Sequence, residues 1–489
     1  MILIPALLLM TGTTPQPTNA VVDQPYSAVA ADIQGVTTLT ETSDLFATLH
    51  DMQHVVLNDF PLDENTRVIL SLDRRQVIDA NADLRLNENG SFARPDVVIL
   101  GGKVAGDQDS LAYLAMSDDM TVGYISSGGE QWIISSGPFG GGNDTIIYNA
   151  NDLPDGAINW FAFACNSLNV PDDARTHNAG SHPLAMLGGE PCRVADVAIE
   201  TDTEFRTVLF GGDATAAANY VIMLVGAVSE VYERDLNTIL NISFMRIWTS
   251  SDPWNQSDTI SQLFQFRDYW DANMFGTQRH TAHYLSGRSL GGGVAYVGGL
   301  CVTGFDYALS ANLNGFFPYP LTNGSTQNWD VMVTSHEWGH MFGAPHTHEQ
   351  SPLANIDTCG LDYSGPGCDP NDLPGTIMSY CHLCGSGTAT VNLNFHPQNI
   401  NSWIFAFLND TGLWAGDGAT CDLTGNPLCN APGCLPDVND DGILDSADFT
   451  AWIAAFNAND PAADQNLDGV IDPSDFTAWI ANFNAGCGG

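Results

Sequence analysis

The densest group of metal-binding side chains is the stretch TSHEWGHMFGAPHTHE, residues 334–349, which holds four histidines and two glutamates. His336 and His340 are four residues apart, so on a helix their imidazoles project from one face and can bind one metal ion. Gly343 can end that helix in a left-handed conformation and return His346 as a third ligand. Three neutral imidazoles leave the fourth position of a tetrahedral zinc site open for water, which is typical of a catalytic site.

Glu337 follows the first of these histidines and can supply a general base. Zinc lowers the pKa of its water to about 7, and Glu337 can accept the proton as the water attacks a zinc-polarised carbonyl. We therefore predict hydrolysis of a peptide or related amide bond, with one zinc ion on His336, His340 and His346. A lone His-x-x-x-His pair more often fills space in a core, but chance does not readily produce the whole string. His348 is either a neighbour of the ligands or an alternative ligand, and the spacing favours His346.

The string HEWGHMFGAPH resembles the zinc motif of the metzincin peptidases, which also carry a methionine turn downstream, here GTIMSYC. The resemblance implies that Met378 lies beneath the zinc site as a hydrophobic base and that Tyr380 lies near the metal. The segment HYLSGRSLGGGVAYVGGLC is similar to the strand, glycine loop and disulfide cysteine of the reprolysin or adamalysin type. The resemblance covers about residues 193–414 and implies a twisted sheet with an active-site helix.

The elements that must hold the motif alternate between strand and helix patterns. VADVAIETD and LNISFMRIW read as strands, and between them DATAAANYVIMLVGAVSEVYERDL reads as a long helix with an aspartate at its start. TISQLFQFRDYW follows as a helix and HTAHYLSG as a strand. This order predicts an α/β domain over residues 193–415. Its active-site helix would begin with Asn328 or Asp330 as a side-chain cap.

Residues 21–192 show short alternating runs such as TRVILSL and DVVILGG, divided by Gly, Asn and Asp turns. This pattern predicts a β-rich leading domain. The metzincin resemblance implies that this leading domain is a propeptide, which folds with the catalytic domain and inhibits it. Cys165 or Cys192 could then place a thiolate at the zinc. A disulfide between these two cysteines is the alternative, and it fits the cysteine count better.

The C-terminal region, residues 434–489, contains an internal repeat, since DVNDDGILDSADFTAWIAAFNA recurs as DQNLDGVIDPSDFTAWIANFNA. Each copy places oxygen-bearing side chains at positions 1, 3, 5, 9 and 12 of an EF-hand loop, with glycine at position 6. The repeat therefore predicts two calcium ions, held by Asp437, Asn439, Asp441, Asp445 and Asp448 in the first copy and by Asp464, Asn466, Asp468, Asp472 and Asp475 in the second.

The repeat resembles dockerin modules, because position 12 is Asp and no helix obviously precedes either loop. The resemblance implies a small α domain that binds a cohesin-like partner, although loop positions 10 and 11 lack the usual hydroxyl pair. The ending NAGCGG is similar to that of bacterial proteins whose dockerin-like repeat ends in Gly-Cys and serves surface attachment. Cys487 could be the attachment point. Residues 416–433, rich in Gly, Pro and Cys, are the predicted linker.

Composition limits the partners and the compartment. The 489-residue chain has 57 acidic and 14 basic residues and a net charge of -43, which disfavours nucleic acid and anionic membranes as partners. Residues 1–20 have the apolar core of a signal peptide, the alternative being a buried N-terminal segment. No later run is apolar enough to predict a transmembrane helix. Eleven cysteines in an exported chain predict mostly disulfides.

The sequence thus predicts a multidomain, secreted zinc endopeptidase made as a zymogen, acting on protein or peptide substrates and attached to a surface or scaffold. Glu337 and Tyr380 are its predicted catalytic residues. The main alternative is a non-catalytic adhesion or scaffold protein with a structural zinc site, and Glu337 argues against it, because a structural site has no use for that carboxylate. A metal-dependent hydrolase of another bond is a lesser alternative.

Overall fold

The structure is a computed structural model of the chain. It describes residues 19–107, 109–154, 157, 165–171, 174, 191–321, 328–359, 374–384, 391–424, 426–430, 436–439, 446–458, 460–463, 465 and 471–485. Most of the predicted signal peptide lies outside these residues, as does Cys487.

Residues 19–154, called the leading region below, are rich in strands, as predicted. Its described elements are β1 (Asn19–Asp23), β2 (Tyr26–Ala30), β3 (Val36–Glu41), α1 (Leu45–Leu49), β4 (His54–Pro61), β5 (Arg67–Arg74), β6 (Ile78–Leu86), β7 (Gly90–Ser91), β8 (Val98–Val104), β9 (Leu111–Ser117), β10 (Met120–Ser127), β11 (Glu130–Ser135) and β12 (Thr145–Asn149). A ten-stranded sheet takes all of these strands except β6 and β7, in the order β1-β4-β5-β8-β9-β10-β11-β12-β3-β2. Because β1 and β2 are consecutive in the chain yet lie at opposite ends of this order, the sheet must curve until its two edges approach.

Residues 191–424, called the central region, alternate between strands and helices and form the predicted α/β fold. The elements are β14 (Arg193–Thr201), α2 (Ala214–Leu236), β15 (Thr238–Ile247), α3 (Thr259–Asn273), β16 (Thr281–Leu285), β17 (Gly293–Val297), β18 (Tyr307–Ser310), α4 (Trp329–Met341) and α5 (Phe405–Leu408). The predicted strands and helices over β14, α2, β15, α3 and β16 are confirmed. Parallel pairing joins β15, β14, β16 and β18 in that order, and β17 then runs antiparallel to β18.

Two strands that precede the central region complete its sheet. β6 pairs in parallel with β15 at one side, and β13 (Asn166–Asn169) pairs in parallel with β17 at the other. The eight-stranded order is β13-β17-β18-β16-β14-β15-β6-β7. The sequence analysis did not predict this exchange of strands, so the leading region and the central region are more closely interlocked than two successive domains.

Helix α2 lies between the two sheets and is buried along nearly its whole length. Asp213 begins it by accepting hydrogen bonds from the backbone amides of Thr215 and Ala216, which confirms the predicted aspartate start. Asn237, with φ of 48°, ends it. By length and composition α2 could cross a membrane, but 83% of its apolar window is buried inside the fold, as expected of a core helix.

The disulfides decide between the alternatives left open for Cys165 and Cys192. Cys192 is bonded to Cys429 and Cys165 is a buried free thiol, so the alternative in which these two cysteines bond to each other is wrong. The reason is the position of each residue in the sheet. Cys165 precedes the edge strand β13, whereas Cys192 precedes β14, where the amide of Val194 donates to the Leu423 carbonyl at 2.9 Å and brings the Cys429 segment alongside.

Two further disulfides are described, Cys301–Cys421 and Cys359–Cys381. The first bears out the expectation that Cys301 forms a disulfide ahead of the active-site helix. Together with Cys192–Cys429, it bonds two cysteines of the predicted linker, Cys421 and Cys429, to Cys301 and Cys192.

The C-terminal repeats form two helices, α6 (Ser446–Ala458) and α7 (Pro473–Ala485). The indole of Trp452 donates to the Ala463 carbonyl at 3.2 Å, and that of Trp479 donates to the Pro436 carbonyl at 3.1 Å. Each copy thus holds the start of the other copy's loop in the same way. Trp452 and Trp479 are buried in one shared cluster, so the two repeats pack as a pair.

Candidate metal centre

Helix α4 carries the histidine motif and is buried from end to end. Asn328 precedes it without a side-chain capping bond. Asp330 accepts instead from the amides of Asn314 and Gly315 and from the Tyr220 hydroxyl, so the predicted cap is wrong. These bonds fasten the start of α4 to a neighbouring loop and to α2.

The end of α4 behaves as predicted. Gly343 has φ of 90°, in the left-handed region, and its amide donates to the His340 carbonyl at 2.8 Å. The chain then reverses and brings His346 back to the histidines of the helix. The ring centroids of His340 and His346 lie 4.6 Å apart.

The Nδ1 atom of each of the three histidines is hydrogen-bonded to an acceptor. His336 Nδ1 lies 2.7 Å from the Ile377 carbonyl oxygen, and His340 Nδ1 lies 2.8 Å from that of Ala344. A carbonyl oxygen can only accept, so both Nδ1 atoms carry the proton and both Nε2 atoms have a free lone pair. His346 Nδ1 lies 2.9 Å from Glu349 Oε2, which favours the same tautomer.

The Nε2 atoms converge. Those of His340 and His346 lie 3.1 Å apart, and the three histidines offer ligand atoms all within 4.8 Å of one another. His336 Nε2 is buried with no hydrogen-bond partner in the described part of the chain. Burial holds the pKa values of His336 and His340 well below their usual range, so both are neutral ligands. Three buried imidazoles, each oriented by a hydrogen bond at Nδ1, fit a zinc ion.

Glu337 points its carboxylate toward the same space. It is fully buried, its carboxylate lies against the Cys165 thiol, and burial raises its pKa well above the usual range. Gly293, at the start of β17, allows this position, since a Cβ there would collide with the Glu337 side chain. A buried carboxylate whose neighbour is a thiol rather than a cation is costly to maintain in a purely structural site.

The methionine turn lies under α4. A Cβ on Gly339 would collide with Met378 Sδ, so the helix and the turn are in close contact there. The preceding residue, Ile377, supplies the carbonyl that holds His336. The Tyr380 ring centroid lies 4.6 Å from that of His346. The structure thus brings both residues of the predicted turn to the histidines, while their roles remain predictions.

His348 lies beside the three histidines and is stacked on the ring of His346, with centroids 5.2 Å apart and planes 6° from parallel. Burial lowers its pKa to about 4. Its ligand atoms do not belong to the cluster formed by His336, His340 and His346. We therefore treat His348 as a packing neighbour of His346.

Cys165 occupies the side of the site that faces β17. Its sulfur lies within 4.8 Å of ligand atoms of His336 and Glu337, and its carbonyl accepts a hydrogen bond from the Tyr380 hydroxyl. Burial, together with the neighbouring Glu337, raises the pKa of the thiol well above the usual range. A divalent cation bound to the histidines would instead favour the thiolate form of Cys165, because a thiol that coordinates a metal ion is deprotonated.

Glu349 is the residue whose role the sequence analysis missed. It was counted in the motif but given no function, although its spacing of three residues from His346 could have indicated a contact. Gly293 was also missed, because only the fold shows which residue lies beside Glu337.

Residues 192–390 match the family described as Metallo-peptidase family M12. This segment is a metallopeptidase-like domain. The match covers less than half of the chain but includes the three histidines, Glu337 and the methionine turn. The central region is called the metalloprotease domain below.

Two of the proteins similar to this chain illustrate the match. The chain is 26% identical over 310 residues to the Disintegrin and metalloproteinase domain-containing protein B of Aspergillus fumigatus, a match that covers 53% of this chain and 37% of that relative's length. The crystal structure of metalloproteinase-II from Bacteroides fragilis aligns with 70% of this chain and 92% of its own, at a TM-score of 0.37 and 13% identity.

Glu349→Ala should weaken zinc binding by about 10- to 100-fold, because it removes the acceptor that orients His346. Glu349→Gln keeps an acceptor oxygen and should lose less zinc affinity than Glu349→Ala. The zinc affinity of each purified full-length variant can be measured by competition with a chromophoric chelator. Glu64→Ala, at an exposed position of the leading region, is the control and should bind zinc as the parent does. Equal affinities for Glu349→Ala and the parent would refute the orienting role.

Proposed function

We propose that this chain is a secreted, zinc-dependent endopeptidase that hydrolyses protein substrates and is made in a latent form. One zinc ion would be held by His336, His340 and His346, with Glu337 as the general base. The observation that carries this proposal is the convergence of ring nitrogens from three buried histidines beside the buried Glu337 carboxylate. Disulfides and the similarity to the Aspergillus fumigatus metalloproteinase favour an extracellular location.

Each residue of the site has a distinct task in this proposal. Zinc, when bound, would polarise the scissile carbonyl and lower the pKa of a water molecule to about 7. Glu337 accepts the proton of that water and passes it to the leaving amine. Its burial beside the histidines suits this task, because a general base must lie within reach of the water whose proton it accepts. Tyr380, once its hydroxyl is free of the Cys165 carbonyl, can donate to the substrate's carbonyl oxygen.

Latency would come from Cys165 and the strand that follows it. β13 lies along β17 in the register Asn166 to Val294 through Asn169 to Val297, so it covers the edge of the sheet beside the site. The Cys165 sulfur faces His336 and Glu337 and would take the fourth position of the zinc ion. Water would then be kept from the zinc ion as long as the thiolate holds that position.

Cys165→Ala should raise the proteolytic activity of the uncut, zinc-loaded chain by about 10-fold or more, because it removes the fourth ligand while leaving β13 in place. Hydrolysis of a denatured, dye-labelled protein is the measurement. Ser167→Ala, in the same strand and half-buried, is the matched control and should leave the chain latent. If Cys165→Ala is as latent as the parent, the thiolate is not the inhibitor and only steric cover remains.

Glu337→Gln, made on the chain freed of latency by Cys165→Ala, should bind the same amount of zinc but lose proteolysis by about 100-fold or more. The amide has the size of the carboxylate but cannot accept the proton. Zinc content and hydrolysis rate are measured on the same preparation. Glu64→Gln is the control. A Glu337→Gln enzyme that keeps most of its chelator-sensitive activity would exclude this residue as the base.

The C-terminal repeats are proposed to be a calcium-binding, dockerin-like module that attaches the enzyme to a cohesin-like partner or a cell surface. Of its predicted ligands, Asp437, Asn439, Asp448, Asp472 and Asp475 are described, whereas Asp441, Asp445, Asp464, Asn466 and Asp468 lie outside the described residues.

The last position of the second loop supports the module. The carboxylate oxygens of Asp475 accept from the amides of Gln465 and Asp472, at 2.9 and 2.8 Å. Gln465 lies near the start of the proposed loop and Asp472 at its ninth position. Position 12 therefore draws the two ends of the loop together, as a loop around one cation requires.

The full-length chain should bind two calcium ions in its C-terminal module and resist proteolysis there only when calcium is present, because the clustered carboxylates repel one another without a cation. Calorimetric titration gives the number of ions. Asp437→Asn together with Asp464→Asn should abolish both effects. Asp460→Asn, an exposed acid between the loops, is the control and should bind two. A module that binds no calcium and is equally protected without it would refute the proposal.

A further inference from the structure

One face of helix α2 is covered by the leading region. Met223, Ala227 and Glu230 are spaced four and three residues apart and so share that face. The Tyr113 hydroxyl donates to the Met223 carbonyl at 2.6 Å, and the Tyr124 hydroxyl donates to the Ala227 carbonyl at 2.8 Å. Both tyrosines belong to the ten-stranded sheet, and their rings are stacked on each other.

A partly buried ion pair adds to this contact. Arg75 Nε lies 2.5 Å from Glu230 Oε1, and the Glu230 side chain is only 3% exposed. Gly226 lies between Met223 and Ala227, and a Cβ there would lie 2.7 Å from the Tyr113 hydroxyl oxygen. The absence of a side chain thus allows the sheet to approach the helix closely.

The same helix supports the metal centre. The Tyr220 hydroxyl donates to Asp330 at 2.7 Å, and the Tyr232 hydroxyl donates to the Ser335 carbonyl at 2.9 Å, both in α4. Loss of the leading region would expose a helix whose mean hydropathy of 1.4 is high enough for a membrane span. The helix on which α4 rests would then present a large apolar surface to water.

The leading region also completes the sheet of the metalloprotease domain. β6 pairs with β15 from Phe244 to Ile247, and Asn87 continues the contact by accepting from the amides of Thr249 and Ser250 at 2.9 and 3.0 Å. Without β6, β15 would become an edge strand with unpaired backbone groups. Such an edge is a site for aggregation.

The segment that carries Cys165 is described over residues 165–171. These residues contribute the four-residue strand β13, and the Cys165 carbonyl accepts a hydrogen bond from the Tyr380 hydroxyl. No cysteine precedes Cys165 in the sequence, so no disulfide can join residues 19–154 to the rest of the chain. A cut on each side of Cys165 would leave the contacts of residues 19–154 with α2 and β15 intact. It would remove only the contacts that β13 and Cys165 make.

We propose that residues 19–154 stay bound to the metalloprotease domain after the segment carrying Cys165 is cut out, so that the active enzyme is a non-covalent complex of two pieces of this chain. The inference rests on the latency part of the proposed function, because it assumes that this segment must leave. It assigns the leading region to the working enzyme as the partner of α2 and β15, and confines the inhibitor to the segment that follows it.

The test uses the full-length chain with two inserted recognition sites for a specific protease, one between residues 155 and 156 and one between residues 180 and 181. After both cuts, the N-terminal piece and the large C-terminal piece should co-elute in equal amounts from a sizing column and separate only in urea. Separation without denaturant, whether the large piece stays soluble or aggregates, would overturn the proposal.

Variants at the contact sharpen the result. Arg75→Met combined with Tyr113→Phe should lower the urea concentration at which the pieces separate by about 1 M or more, and Arg67→Met, at an exposed position, should not change it. An unchanged midpoint for the first variant would show that this face does not hold the pieces together. Proteolysis is assayed separately: a joined but inactive complex would count against the proposed function alone, and separated pieces with activity would count against this inference alone.

Discussion

The metal centre depends on three hydrogen bonds made by the ring nitrogens that do not face the metal. The acceptors are the Ile377 and Ala344 carbonyls and the Glu349 carboxylate, and each fixes one imidazole in rotation and in tautomer. Without them, buried and neutral histidines would be free to turn their lone pairs apart. The acceptors come from the methionine turn, the chain reversal after α4 and the loop beyond it, so these loops must be placed accurately for the site to exist.

The position of α4 and its loops depends on the layers packed beneath them. α4 rests on α2 through hydroxyl bonds from Tyr220 and Tyr232, and α2 rests in turn on the leading sheet through Tyr113 and Tyr124. Packed interiors deform little, so a change at the outer layer reaches the metal centre as strain. The leading region is therefore better described as part of the scaffold of the site than as a cover on it.

The sequence predicted what is encoded locally. Helix α2 could be placed because Asp213 gives a start signal before a long apolar run, and the zinc ligands could be named because the spacing of His336 and His340 has a geometric meaning on a helix. The turn after α4 followed from Gly343 for the same reason. Such features depend on residues within one or two helical turns of each other.

Features that depend on distant segments were missed or wrong. No local pattern indicates that β6, from the leading region, pairs with β15 in the sheet of the central region. Nor does one indicate that Cys192 bonds to Cys429 across 237 residues of sequence. The capping role of Asp330 failed for a related reason, since amides of a loop elsewhere in the fold compete for its carboxylate. The contact between Glu349 and His346 is local, but only the folded loop shows that the two side chains meet.

The most direct test of the zinc centre and its latency is the zinc X-ray absorption spectrum of the uncut chain loaded with one zinc ion. We predict a first shell of three imidazole nitrogens at about 2.0–2.1 Å and one sulfur at about 2.3 Å. In Cys165→Ala the sulfur should be replaced by oxygen, with the three nitrogens retained. A shell with fewer than three imidazoles, or one without sulfur in the parent chain, would contradict the account.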